Sequence, residues 1–319
     1  MGDGVFGRYL VRRIFLMVPV VFLVTVMVFL MLHLIPGDPA RVALGEEATP
    51  KAVAALRVQM GLNLPLPAQY LHWVGQVVQG NFGRSLLDGT SVLKDVLQAL
   101  PVTFEITVLA ILTALLVGIP VGIIAARLRG SLADWIATIL ALAALSIPAF
   151  WLGILFILYF AVRLHMFPAG GYVPITKNLG ANLALMVLPS VSLGLRSAAV
   201  IARMLRGSLL EVLGADFVRT ARAKGVSERR ALWRHALRNA LLPVVTVGGL
   251  EFAGLLGGVV ITEQIFGIPG MGQLLVNAIL QRDITTVQGE VLFIALIVLI
   301  VNLLTDLSYS LLDPRIQVA

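Results

Sequence analysis

The sequence predicts an all-α integral membrane protein: six transmembrane helices, a cytoplasmic helix–turn–helix elbow, and a long helical outer segment after the first span. Three observations carry this. Of 319 residues, 59% are hydrophobic and 13% charged, against roughly 45–50% and about 25% in ordinary soluble domains. A single soluble core could not hide that much apolar surface. Six segments reach the length of about 20 apolar residues that a spanning helix needs, with none of the strict alternation of a membrane barrel. Positive charge is also concentrated: between Arg203 and Arg238 nine Lys/Arg stand against three acids, +6 of the chain's net +7.

The first span is 14–35. Arg8, Arg12 and Arg13 precede it, as in a signal peptide, but its apolar run of 22 residues exceeds the about 7–15 of a signal core. It ends in Ile35-Pro36-Gly37-Asp38-Pro39 without a small-residue cleavage pattern, and is expected to remain as an anchor. The outer segment, 36–101, carries three helical signals. Thr49-Pro50 reads as an N-cap followed by Pro at the first helical position, with Val53, Leu56 and Met60 at helical spacing and Gly61 as terminator. Residues 67–79 read as a second helix closed by Gly80, and 91–99 as a third capped by Thr90. The remaining spans are 102–126, 135–162, 183–205, 240–262 and 287–311, with the elbow at 206–239. With the N-terminus inside, inner segments hold 15 Lys/Arg and the longer outer ones 8, so both termini are predicted cytoplasmic. No internal repeat or flexible linker divides the chain, and 1–319 reads as one integral domain.

Catalytic signals are sparse. With no cysteine, disulfides, thiolate nucleophiles and cysteine-held metals are excluded. There is no phosphate-binding G-x-x-x-x-G-K-[ST], no H-E-x-x-H and no G-x-S-x-G. His33, His72, His165 and His235 are scattered and read as interfacial residues. No cofactor or metal site is expected on this chain, and it is not expected to be an enzyme.

The informative segment is the basic inner loop. Two helical stretches flank Gly225, which suits the left-handed residue after a helix end, and Ser227 suits the N-cap of the next. Leu209, Val212, Leu213 and Phe217 share one face of the first stretch, and Leu232, Ala236 and Leu237 share one face of the second. A loop that only touches anionic lipid has no need of the small residues Ala221, Ala223 and Gly225, which let a partner approach closely.

The run Asp216-Phe217-Val218-Arg219-Thr220-Ala221-Arg222-Ala223-Lys224-Gly225, followed by Arg234 through Pro243, resembles the coupling loop of ABC-importer permeases of the dipeptide, oligopeptide and nickel branch. Matching motifs run in order along the chain: Leu34 to Ala40, Gly61 to Leu66, Gly80 to Ser85, Ser146 to Trp151, Glu263 to Gly272, and Asn302 to Arg315. Arg219, Thr220 and Ala221 stand where the general loop pattern has Glu-Ala-Ala. The 18-residue spacing from Gly225 to Pro243 also exceeds the general pattern; both are features of this branch. Arg282-Asp283-Ile284-Thr285 departs from the branch's usual R-D-Y-P, at an outer position where docking or substrate details are expected to differ.

The resemblance implies a permease subunit that imports short peptides by alternating access across the cytoplasmic membrane. It implies four kinds of partner: a homologous second permease in a heterodimer, two ATP-binding-cassette ATPases carrying ATP and Mg, an extracytoplasmic substrate-binding protein, and membrane lipid. Nucleic acid is not an expected partner. Glutathione, a nickel chelate or another small solute is the alternative cargo. A stand-alone secondary transporter would need an internal repeat, and an intramembrane enzyme a catalytic cluster. The implied docking residues are Glu211, Asp216, Arg219, Ala221, Arg222, Ala223, Lys224 and Gly225, with Arg238 and Asn239 tying the elbow to the fifth span.

Gly249, Ala253 and Gly257, and likewise Gly254 and Gly258, are four apart. Such small-xxx-small faces allow close helix approach in lipid, and one is expected to meet the second permease. Arg196 and Glu251 lie inside spans, where Arg costs about 2.5–3.5 kcal/mol on insertion scales. They are candidates for the translocation pathway; alternatively, Glu251 pairs with Arg196 or another polar group as structural glue. Glu105 and Glu290 lie near span ends, where snorkelling accounts for them.

Overall fold

The computed structural model describes residues 3–34, 38–45, 48–59 and 61–312. Among these the chain is helical, with one isolated antiparallel bridge between Arg84 and Ser91. The motifs at Ile35–Gly37 and Asp313–Arg315 lie outside the described residues, as does Met60. The chain divides into two compact units, Met1–Val102 with Gly270–Ile300, and Thr103–Pro269 with Val301–Ala319.

The first unit begins with α1 (Asp3–Leu34), whose described apolar stretch is Phe15–Met31. Helices α2 (Pro39–Leu44), α3 (Pro50–Gln59) and α4 (Leu66–Val78) follow. The Thr49 side chain accepts from Ala52 N at 3.2 Å and opens α3, while Gly61 (φ 69°) follows its end. Helix α4 buries none of its residues fully; it leans on α1 through aromatic edges, Tyr70 and Trp73 against Phe22 and Phe29. Thr25 and Tyr70 share a hydroxyl hydrogen bond of 2.8 Å.

The third outer helix is not separate. Residues 92–99 are the first turns of α5 (Val92–Arg127), which passes through Pro101 without stopping. Sequence reasoning ends helices at proline because the ring removes a donor. Here the segment is pinned by packing: Val92, Val96 and Ala99 are buried with Met271 and lean on Phe82 and Phe293. Helix α14 (Met271–Leu280) leads to α15 (Ile284–Leu312). Asp283 is buried between them, accepting from Thr286 N, Thr286 Oγ1 and Leu86 N. Within the Arg282–Thr285 stretch, Asp283 therefore serves as an internal cap for α15. Glu290 is fully buried rather than snorkelling.

In the second unit, α6 (Leu132–Ser146) and α7 (Ala149–Phe156, continued by a π turn Ile157–Arg163) meet at 100°. The expected span 135–162 is thus broken. Ile147 precedes Pro148 and is extended at φ −87°, ψ 126°, as the residue before proline prefers. Helix α8 (Leu179–Leu213) opens on the Asn178 side chain, which accepts from Ala181 N at 3.0 Å. It carries 35 residues, running well past the predicted end at 205. Asp134 at the start of α6 takes a two-pronged bond from Arg206 of α8, at 2.7 and 2.8 Å. Glu105 does not snorkel either: Tyr172 Oη and Asn182 Nδ2 donate to it at 2.9 and 2.6 Å. Burial, and then this bond to Glu105, push the Tyr172 phenol up to about 12, so it remains a donor at neutral pH.

The expected fifth span is also interrupted. The arm Glu228–Ala240 bends by 45° into α12 (Leu242–Gly258), and α13 (Val260–Phe266) follows after Val259. Among the described residues three helices are long and apolar enough to cross a membrane alone, or up to five if each bent pair is one span.

Close approach of α5 and α8 organises this unit. A Cβ on Gly118 would stand 2.7 Å from the Ala198 carbonyl, and one on Gly122 2.9 Å from that of Ala202. From the other side, a Cβ on Gly194 would stand 2.5 Å from the Ala110 carbonyl. This G-x-x-x-G seam on α5 was not singled out in the sequence. Overpacking costs about 1–3 kcal/mol, so Gly118→Val should lower the thermal unfolding midpoint of the detergent-solubilised protein, while Gly75→Ala, with open space around its site, should leave it nearly unchanged.

Candidate functional site

The basic elbow is built from the end of α8, a turn at Gly214-Ala215, α9 (Asp216–Ala223), a turn at Lys224-Gly225, and the arm of α10 (Glu228–Arg230), a π turn (Ala231–Ala236) and α11 (Leu237–Ala240). Gly225 sits at φ 84° with open space around it. Gly225 N bonds Arg222 O at 2.9 Å and Val226 N bonds Ala221 O at 3.2 Å, consuming the last carbonyls of α9. Ser227 occupies the expected N-cap backbone position, but its side chain makes no cap bond. Its carbonyl instead accepts from Ala231 N at 2.8 Å.

The elbow is anchored from one side. Leu232, Ala236, Leu237 and Ala240 are buried in one cluster with Leu205 and Leu209 of α8 and Ile123 and Ala126 of α5. On α9 the buried residue is Val218, fully covered, while Phe217 is 47% exposed. The expectation that Phe217 shares the packed face is therefore corrected by one position: α9 is a new helix with its own phase after the Gly214-Ala215 break, not a continuation of α8. Trp233 on the arm is also exposed, at 54%.

Of the predicted docking residues, Glu211, Asp216, Arg219, Ala223, Lys224 and Gly225 are exposed, and Ala221 is half-buried. Arg222 is different. Its guanidinium meets Glu228 at 2.9 and 3.0 Å and reaches Leu213 O at 3.4 Å, so it braces α9 against both α8 and the arm. Arg219 and Asp216 approach each other at 3.5 Å in full exposure, a pair worth little by itself. Arg238 and Asn239 are exposed, and Asn239 donates to His235 O within its own arm at 2.8 Å; the tie to the fifth span comes from the buried apolar residues instead. A cavity of about 160 Å3 at the elbow root lies among Arg127, Leu213, Arg222, Glu228 and Arg229.

The glycine faces of α12 separate. A Cβ on Gly249 would collide with Thr305, and Ala253 is buried, so that face packs inside the unit. Gly254, Gly257 and Gly258 are exposed with open space where a Cβ would stand. Of the two partners the sequence left open for Glu251, Arg196 or another polar group, it takes the second: Glu251 accepts from Ser197 Oγ at 2.5 Å, and Arg196 is exposed. Among the described residues no cluster of three or more His, Cys, Asp or Glu could hold a metal ion.

Residues 118–318 match the family described as the binding-protein-dependent transport system inner membrane component, and residues 6–107 match the N-terminal family of such membrane components. A Sinorhizobium fredii protein named as a probable peptide ABC transporter permease is 41% identical over 98% of this chain and 99% of its own length. The Escherichia coli dipeptide transport system permease protein DppB is 40% identical over 97% and 98%. Among solved structures, the inward-facing MetNI methionine ABC transporter aligns with a TM-score of 0.57 at 18% identity, covering 68% of this chain and 96% of that one. An amino acid ABC transporter aligns at 0.53 with 16% identity, covering 68% and 94%.

The Arg222 brace has a direct readout. A partly exposed ion pair is worth about 0.2–1 kcal/mol, so Arg222→Ala should raise amide exchange at Val226 up to about fivefold. Exchange at the buried Leu237 should stay unchanged.

Proposed function

The chain belongs to the family of binding-protein-dependent transport system inner membrane components, and from that premise we propose that it is the permease subunit of an ATP-binding-cassette importer for short peptides. It is a multi-pass inner-membrane protein and not itself the catalytic subunit. The observation that carries the cargo is the near full-length similarity, at about two residues in five, to permeases named for peptide and dipeptide transport.

In this reading residues 1–319 act as one permease with six spans, formed by α1, α5, the broken pair α6–α7, α8, the interrupted α12–α13 and α15. Both termini face the cytoplasm, which puts the elbow there too. The elbow docks in an ATPase subunit that holds ATP and Mg. Its exposed rim supports this: small Ala223 and Gly225, the charges of Glu211, Asp216, Arg219 and Lys224, and the uncovered aromatics Phe217 and Trp233. Aromatic anchors ringed by charge are the usual composition of energetic contacts between proteins. Because the elbow is packed on α8 and α5, a push on α9 reaches the spans as a rigid-body movement rather than dissipating in a loop. The open Gly254, Gly257 and Gly258 face of α12 receives a second permease. A substrate-binding protein delivers cargo on the outer side.

The chain has no native cysteine, so a single introduced thiol reports one contact. Ala223→Cys should crosslink to an ATPase subunit through a short thiol-reactive linker, and nucleotide should change the yield. Leu71→Cys, exposed on α4, should give no ATPase crosslink. Purification of this chain alone from native membrane, repeated in lipid nanodiscs with an ATP analogue, would overturn the docking reading.

A further inference from the structure

Helices α8 and α12 pack within one unit, and each carries one charged residue within its apolar run. Arg196 is the midpoint of α8, about 26 Å of helix from either end, in a helix apolar enough to cross a membrane. Leu193, Gly194, Ser197, Ala198 and Ala199 around it are buried, and Arg196 is exposed. Its neighbour Ser197 donates its hydroxyl to Glu251 on α12. Glu251 is half-buried, and about one turn further along the same helix Gly254 leaves bare backbone.

We propose that Arg196 and Glu251 form a subsite on the transport path that takes the two charged ends of a zwitterionic substrate, Arg196 the carboxylate and Glu251 the ammonium group; this rests on the peptide reading above. A guanidinium at the centre of an apolar helix is costly against lipid and requires water or an anion. Glu251 on α12 is engaged by the hydroxyl of the residue after Arg196, and a carboxylate so engaged keeps acceptor positions for an ammonium group. The guanidinium fork matches a carboxylate with two parallel bonds. A short peptide carries one group of each sign. The contacts fall on the two termini, which all such peptides share whatever their side chains.

The test uses the complete transporter in proteoliposomes: this chain, the second permease, the ATPases and the binding protein. Uptake is measured for one dipeptide, its C-terminal amide and its N-acetyl form. Each variant is expressed as a ratio to the wild type for the same compound, so the binding protein's own preference cancels. Arg196→Gln should lower uptake of the free dipeptide about tenfold or more, the worth of a charge-assisted bond, while its ratio for the amide stays near one. Glu251→Gln should give the complementary pattern, sparing the N-acetyl form. Arg196→Lys should restore part of the loss. Equal ratios for all three compounds overturn the subsite. Loss of the second permease from purified Arg196→Gln complexes assigns Arg196 to subunit pairing and also overturns it. A wild-type complex that takes up none of the three overturns the peptide reading itself, a result distinct from peptide uptake with equal ratios.

Discussion

The second unit depends on how closely α5 and α8 approach. In lipid there is little hydrophobic gain in pressing two apolar helices together, so association rests on close van der Waals contact. Gly118 and Gly122 on α5 face the carbonyls of Ala198 and Ala202, and Gly194 on α8 faces that of Ala110. No side chain larger than hydrogen fits at these three positions without moving backbone. The seam holds the middle of α8, from Gly194 to Leu205, and two candidate functional features sit on the parts it leaves open.

Those features share one rigid element. Arg196 lies at the middle of α8 and the elbow begins at its end, with no break between them in the 35 residues. The elbow is fixed in turn by a continuous apolar cluster, from Ile123 and Leu205 to Leu232 and Ala240, and by Arg222 across Glu228. Arg196 and the elbow are therefore joined by continuous helix and packed side chains. That is the physical requirement for any device in which a cytoplasmic event changes access within a membrane.

The other long elements are interrupted, and each interruption has a local cause. Pro148 cannot donate, and it holds Ile147 extended between α6 and α7. Pro243, at the second position of α12, lacks the donor that would carry the arm straight through Leu241. The π turns at Ile157–Arg163 and Ala231–Ala236 are wider than α-helix and occur mostly where function or packing forces an extra residue into a turn.

The helical membrane class, the positions of the apolar segments, the glycine turn at Gly225 and the buried face of Leu232, Ala236 and Leu237 were legible in the sequence. All follow from composition, periodicity and the conformational freedom of glycine, which are local. Tertiary structure decided the rest. It carried α5 through Pro101 because Val92 and Val96 are held by residues about 180 positions away. It chose Val218 over Phe217 as the anchor of α9, made Arg222 a brace, and gave Glu251 to Ser197. It also closed the Gly249 face of α12 against Thr305 and left the Gly254 face open. Spacing along one helix lists which residues share a face, but only the packing of distant segments determines which face is covered and which charge finds a partner.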